Sequence, residues 1–164
     1  MKVATKTNIT GCILAGGQGL RLGGKDKGLI TVNGKYLSQY CIERLSPQVA
    51  TIIISANRNI LIYETFGCLV IQDDTTNSDG PLSGFHSALK AATTPFVAFT
   101  PCDAPFFPKS LVTKLSEPFS DGKVEITMAT AQGKHQPVFA IVKSCLAESL
   151  ATFLEAGGRK IRSW

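Results

Sequence analysis

Four short apolar runs govern what this chain can become. They lie in "GCILAGG" from residue 11, "ATIIIS" from 50, "CLVIQD" from 68 and "FVAFT" from 96. None alternates apolar with polar residues, which is the pattern of strands covered on both faces. Helical spacing fills the gaps between them. In "YLSQYCIERL", Leu37, Tyr40, Cys41 and Leu45 share one face and Pro47 follows. "NILIYETF" reads as a short helix. Pro81 opens another helix, with Leu82, Phe85 and Leu89 at positions i, i+3 and i+7. Strand-helix alternation of this kind gives a mainly parallel sheet with helices on both faces.

The later sequence changes character. After "KSLVTKL", a modest helix, "VEITMATA" and "PVFAIV" read as two strands joined by a turn in "QGKHQ", an antiparallel portion near the C-terminus. "SCLAESLATFLEAGG" closes with a helix: Ser144 as cap, Leu146, Leu150, Phe153 and Leu154 on one face, Gly157 as stop. Asn33-Gly34 inside "LITVNGKYL" marks a tight turn. With no internal repeat, linker or low-complexity stretch, residues 1–164 are expected to form a single Rossmann-like, three-layer α/β domain.

Composition narrows the classes. Apolar residues make up 44% and charged residues 18%, a globular balance. No apolar run approaches the ~18 residues of a membrane span, and "MKVATKTNIT" is too polar for a signal peptide. A cytoplasmic location and no membrane partner are expected. The five cysteines, Cys12, Cys41, Cys68, Cys102 and Cys145, stand singly, as buried thiols do. A net charge of +5 suits a phosphate-bearing ligand. The basic residues gather between Arg21 and Lys35 and between Arg159 and Arg162, but only Tyr36 and Tyr40 lie near the first group, so no stacking platform for nucleic acid is in view.

"GGQGLRLGGKDKG", residues 16–28, is the most distinctive stretch. Gly19-x-x-x-x-Gly24-Lys25 has the spacing of a P-loop, yet Asp26 stands where a magnesium-binding Ser or Thr is needed. Gly17-x-Gly19 begins a dinucleotide fingerprint whose third glycine is replaced by Leu22. Glycines allow backbone N–H groups to converge on an anion, and Arg21 and Lys27 would neutralise charge on a leaving pyrophosphate.

Other candidates also fall at strand ends, where open α/β sheets bind ligands. They are Ser55-Ala56-Asn57, Asp73-Asp74 and Asp103. Asp103, held between prolines in "TPCDAPFFP", suits a magnesium ion that keeps waters and borrows phosphate oxygens, or else caps the following turn. Asp73 reads equally as a metal-linked acid, a base contact or a structural group. His86 and His135 read as surface or packing residues rather than general bases. No G-x-S-x-G elbow, H-E-x-x-H or paired-cysteine spacing occurs.

Taken in order, "LAGGQGLRLGGKDKGL", "VIQDD", "GPLSG", "TPCDAPFFP", "QPVFAIV" and "FLEAGGRKIRSW" resemble the molybdenum cofactor guanylyltransferases, which attach GMP from GTP to molybdopterin. The resemblance implies that Leu14, Ala15, Gly16 and Gly17 line the nucleotide and that Lys27 contacts phosphate. It implies that Asp73, Gly80 and Gly84 lie by the guanine nucleotide, and that Asp103 binds Mg2+ and acts in catalysis with Arg21 and Lys27. Ser55 is carried over as a nucleotide-binding residue, but many relatives have Asn there, so the contact would be kept, shortened, lost or taken up by Asn57. The family continues to an Asn-x-Asn-Thr-Pro loop that this chain lacks. GTP and molybdopterin would be the partners, with other cofactor-biosynthesis or acceptor proteins in addition. Cytidylyl- or sugar-nucleotide transfer, and GTP binding without turnover, are the alternatives.

Overall fold

The computed structural model describes residues 3–17, 24–73 and 80–164. Strand β1 (Ile9–Leu14) leads through a small hairpin, β2 (Thr31–Val32) and β3 (Lys35–Tyr36), into helix α1 (Leu37–Leu45). There follow β4 (Thr51–Ser55), α2 (Ile60–Glu64), β5 (Leu69–Ile71), α3 (Pro81–Ala91) and β6 (Phe96–Pro101). The chain continues through α4 (Leu111–Ser116), the hairpin β7 (Ile126–Ala131) and β8 (Lys134–Lys143), and α5 (Ala147–Glu155).

Six strands form one sheet in the order β5-β4-β1-β6-β8-β7. The β5-β4-β1-β6 portion is parallel, and β8 pairs antiparallel with both β6 and β7. Side chains alternate between two cores. Ile9, Ile13, Ile52, Ile54, Phe96 and Ala98 pack with α1 and α4 on one face; Cys12, Val97 and Phe99 pack with α3 and α5 on the other. Phe85 of α3 stacks on Phe99, ring centroids 3.7 Å apart. Gly11 admits α1 closely: a Cβ there would lie 2.6 Å from Leu45 Cδ2. The three layers and the antiparallel portion are those the residue pattern predicts.

Topology decides where a ligand can enter. From β1 the chain steps outward to β4 and β5, then α3 returns it along the opposite face to β6, on the far side of β1. Such a reversal opens a crevice at the carboxyl ends of the two central strands. The register aligns those ends: Leu14 pairs with Ser55 and Pro101, and Ser55 pairs with Ile71. Whatever follows these four residues must therefore share one edge of the sheet.

Two local expectations are corrected. Ser144 does not cap the last helix: Ser144–Leu146 form a 3-10 turn and α5 begins at Ala147 without a side-chain cap. The last hairpin turns only at Gln132-Gly133, both at positive φ, so His135 lies within β8 rather than in a turn. Two residues suffice because this is the φ combination that matches strand twist.

Candidate functional site

At the end of β1 the ladder runs on into the glycine loop, since Ala15 N–H donates to Ser55 O at 2.8 Å. Gly16 lies against Asn57, where an added Cβ would sit 3.0 Å from Nδ2. Asn57 in turn holds the end of β5 through two bonds. Its Nδ2 donates to Asp73 Oδ2, and its Oδ1 accepts from Asp73 N–H, each at 2.9 Å. Loop, Asn57 and Asp73 thus form one unit along the edge.

The second limb of the loop is built on a nearly buried carboxylate. Asp26, its side chain 6% exposed, accepts from Tyr63 Oη at 2.6 Å, Gly28 N–H at 3.2 Å and Asn59 Nδ2 at 3.0 Å. Asp26 therefore does not stand in for a P-loop metal ligand; its oxygens are turned inward to hold the chain. Burial, and secondly the bond to Asp26, push the Tyr63 phenol well above its usual range, so it remains a donor. Gly28 fits beneath this network because any Cβ would overlap Tyr63 Oη and Ser38 Oγ. Ser38 Oγ closes the packing by donating to Gly28 O at 2.9 Å.

Arg58 completes the framework. Its Nη1 donates to Gly24 O at 2.6 Å, and its Nη2 to Gly17 O at 3.2 Å and Lys25 O at 3.0 Å. Its Nε lies 3.9 Å from Asp26 Oδ2. The residues that organise the loop, Arg58, Asn59 and Tyr63, escape sequence reasoning. The available signal was "NRN" directly after a buried strand, a place where polar side chains face the ligand edge.

Lys27 emerges from the framework and pairs with Asp103, Nζ to Oδ2, at 2.8 Å, both about two-fifths exposed. This joins the glycine loop to the end of β6. Asp103 also forms the wall of a cavity of about 930 Å³ lined by Phe106, Phe107, Leu111, Met128 and Phe139 among others. The cation carried by the glycine loop and an apolar chamber thus meet at one carboxylate.

The remaining predicted residues divide. Gly17 is exposed, and a Cβ there would meet nothing within 4 Å among the described residues; Gly80 is exposed at the N-cap of α3 with φ 136°. Gly84 is buried; a Cβ there would lie 2.8 Å from Ser55 Oγ and 3.0 Å from Leu14 Cδ2, so it serves helix-strand contact. Ser55 is corrected: at 1% exposure its Oγ is covered by α3 and has no hydrogen-bond partner among the described residues. Asn57 is the polar side chain this strand end presents. Arg21 and Asp74 lie outside the described residues. Neither His86 nor His135 lines the cavity.

Cys12, Cys41 and Cys102 are buried, Cys68 is half-buried and Cys145 is exposed. The Cys41 thiol is pushed up to about 12 by burial and then by the Asp103 charge. Arg159, in the second basic group, donates to Leu154 O and Gly158 O at the end of α5. Among the described residues no three His, Cys, Asp or Glu side chains gather as a metal cluster.

The MobA-like NTP transferase domain family matches residues 11–164. The chain belongs to this family. It is 47% identical over 165 residues to the molybdenum cofactor guanylyltransferase of Methylibium petroleiphilum, covering 96% of this chain and 81% of the relative. Identity to the enzyme of the same description from Ralstonia nicotianae is 41%, covering 96% and 82%. The fold matches the crystal structure of molybdopterin-guanine dinucleotide biosynthesis protein A from Archaeoglobus fulgidus with a TM-score of 0.76, covering 94% of this chain and 77% of that one at 20% identity. No helix among the described residues is long and apolar enough to cross a membrane.

Proposed function

We propose that this protein transfers GMP from GTP to the phosphate of molybdopterin, releasing pyrophosphate. Family membership supports nucleotidyl transfer, and the names of the 41–47% identical relatives support the guanylyl reading. The observation that carries the site assignment is the Lys27–Asp103 pair, which stands between the glycine loop and the large cavity. The nucleotide lies along Leu14 to Gly17 and Asp73, and the acceptor enters from the cavity side.

The acceptor phosphate oxygen forms a bond to the α-phosphorus of GTP, while the bond from that phosphorus to the bridging oxygen breaks and its electron pair leaves on pyrophosphate. A phosphate nucleophile is already ionised, so no general base is required, in keeping with histidines outside the cavity. Lys27 neutralises the departing phosphates, with Arg21 assigned the same role from the sequence, and the glycine loop aligns two anions that repel each other.

Asp103 fits a magnesium site: it is a single half-exposed carboxylate on the cavity wall, and Mg2+ takes one or two protein carboxylates plus waters and substrate phosphates. Bound there, the ion would withdraw charge from the phosphates. Lys27 then exchanges its Asp103 partner for phosphate oxygen.

Titration calorimetry with GTP, CTP, ATP and UTP in the presence of magnesium tests the reading. Preference for GTP, followed by pyrophosphate release when molybdopterin is added, is the expected result. Preference for CTP would move the protein to cytidylyl transfer, and GTP binding without pyrophosphate release would leave a binding protein.

A further inference from the structure

The guanidinium of Arg58 makes three bonds to main-chain carbonyls and none of the described ones goes to a side chain: Gly17 O, Gly24 O and Lys25 O. These acceptors lie on the two sides of residues 18–23, so one planar group ties together both limbs of the glycine loop. Asp26 adds an opposite charge rather than a bond: its Oδ2 stands 3.9 Å from Arg58 Nε, and its carboxylate is held by Tyr63, Asn59 and Gly28. A lysine could not copy this, since an ammonium is a point donor without a fork of fixed geometry.

Peptide planarity gives the arrangement a consequence for the ligand. In a trans peptide the C=O and the following N–H point in opposite directions. Turning Gly24 O and Lys25 O toward Arg58 therefore turns the N–H groups of Lys25 and Asp26 away from it. An anion-binding loop needs this separation, with carbonyl oxygens withdrawn from the phosphate and N–H groups left to receive it. Carbonyls facing a triphosphate would repel it.

We propose that Arg58 is a positioning residue of the nucleotide site: by holding the Gly17, Gly24 and Lys25 carbonyls it keeps these two limbs in the form that accepts a nucleoside triphosphate and directs Lys27 toward Asp103. The inference rests on the nucleotidyl-transfer reading. Arg58 acts through the loop and makes no contact with the reacting atoms.

The test compares R58A and R58K with the unsubstituted protein by calorimetry with GTP and with GMP, beside thermal melts and a repeat with millimolar guanidinium added. Loss of a charged donor set of this kind predicts at least a roughly tenfold weaker GTP affinity in R58A. GMP should weaken less, and guanidinium should restore part of the GTP loss. R58K should remain weak, because charge alone does not span three carbonyls; this variant also serves if R58A fails to fold. GTP binding unchanged in R58A, or restored in R58K, would overturn the proposal. So would equal losses for GTP and GMP that follow the melting temperature and ignore guanidinium. Failure of the unsubstituted protein to bind any nucleoside triphosphate would instead refute the function, and this proposal with it.

Discussion

Replacing Asp26 by alanine should unfasten the glycine loop and destabilise the whole protein. The carboxylate is 6% exposed and accepts from a hydroxyl, a main-chain N–H and an amide. The amide of Asn59, exposed to solvent, can turn to water. The Tyr63 hydroxyl cannot, because the residue is fully buried. Hydrogen bonds to a charged group contribute about 1.5–3 kcal/mol, and a buried donor left unmet costs about 1–3 kcal/mol. Since these quantities overlap, the net loss is about 3 kcal/mol. For a chain of this size each kcal/mol moves Tm by roughly 2–4 °C, so Tm should fall by roughly 6–12 °C. Urea denaturation would read the same loss as a lower midpoint at constant slope. A second substitution isolates the cause. Adding Tyr63→Phe removes the stranded hydroxyl, so the double variant should be more stable than the sum of the single losses by at least about 1 kcal/mol. An Asp26→Ala protein within about 0.5 kcal/mol of the original, or strict additivity with Tyr63→Phe, would refute the assignment.

Four further outcomes are expected. Asp103→Ala should abolish magnesium-dependent pyrophosphate release while leaving the melt close to the original; normal turnover would remove the metal assignment. Lys27→Ala should weaken GTP more than GMP, and equal losses measured by calorimetry would argue against a triphosphate contact. Gly84→Ala should cost about 1–3 kcal/mol in urea denaturation, because the new methyl meets Ser55 and Leu14 at 2.8 and 3.0 Å in a buried contact. Cys41 titrates at about 12 in the folded protein against 9.0 when unfolded, so its contribution to stability is complete below pH 9 and is lost as pH rises from 9 toward 12. Melts across that range should show Tm declining, and Cys41→Ser should shrink the decline; a flat profile would contradict the burial.

The candidate residues of the site were legible before its construction was. "GGQGLRLGGKDKG" reads as an anion loop because glycine and lysine act locally, and Asp103 stands out because prolines flank it. Asp26 was visible only as a misfit to the P-loop pattern, and its inward role needed Tyr63, 37 positions away, to be placed beside it. Ser55 misled for a related reason. Its strand-end position is readable, but strand residues alternate between faces, and which face α3 covers depends on the return crossover. Ser144 misled at short range, because the chain enters α5 through a 3-10 turn.

The sequence by itself determined the buried parallel strands, their helices, the hairpin at Asn33-Gly34 and the strand-end positions of the candidate residues. These follow from hydrophobic periodicity and turn chemistry, which act over a few residues. Tertiary structure alone decided which strand ends meet. Lys27 and Asp103 are 76 positions apart, and Arg58 reaches Gly17 across 41. The first separation closes only because α3 carries the chain back across the sheet to set β6 beside β1, and the second because α1 returns the chain to set β4 on the other side of β1. A crossover depends on how whole faces are buried, and no local pattern of residues encodes it.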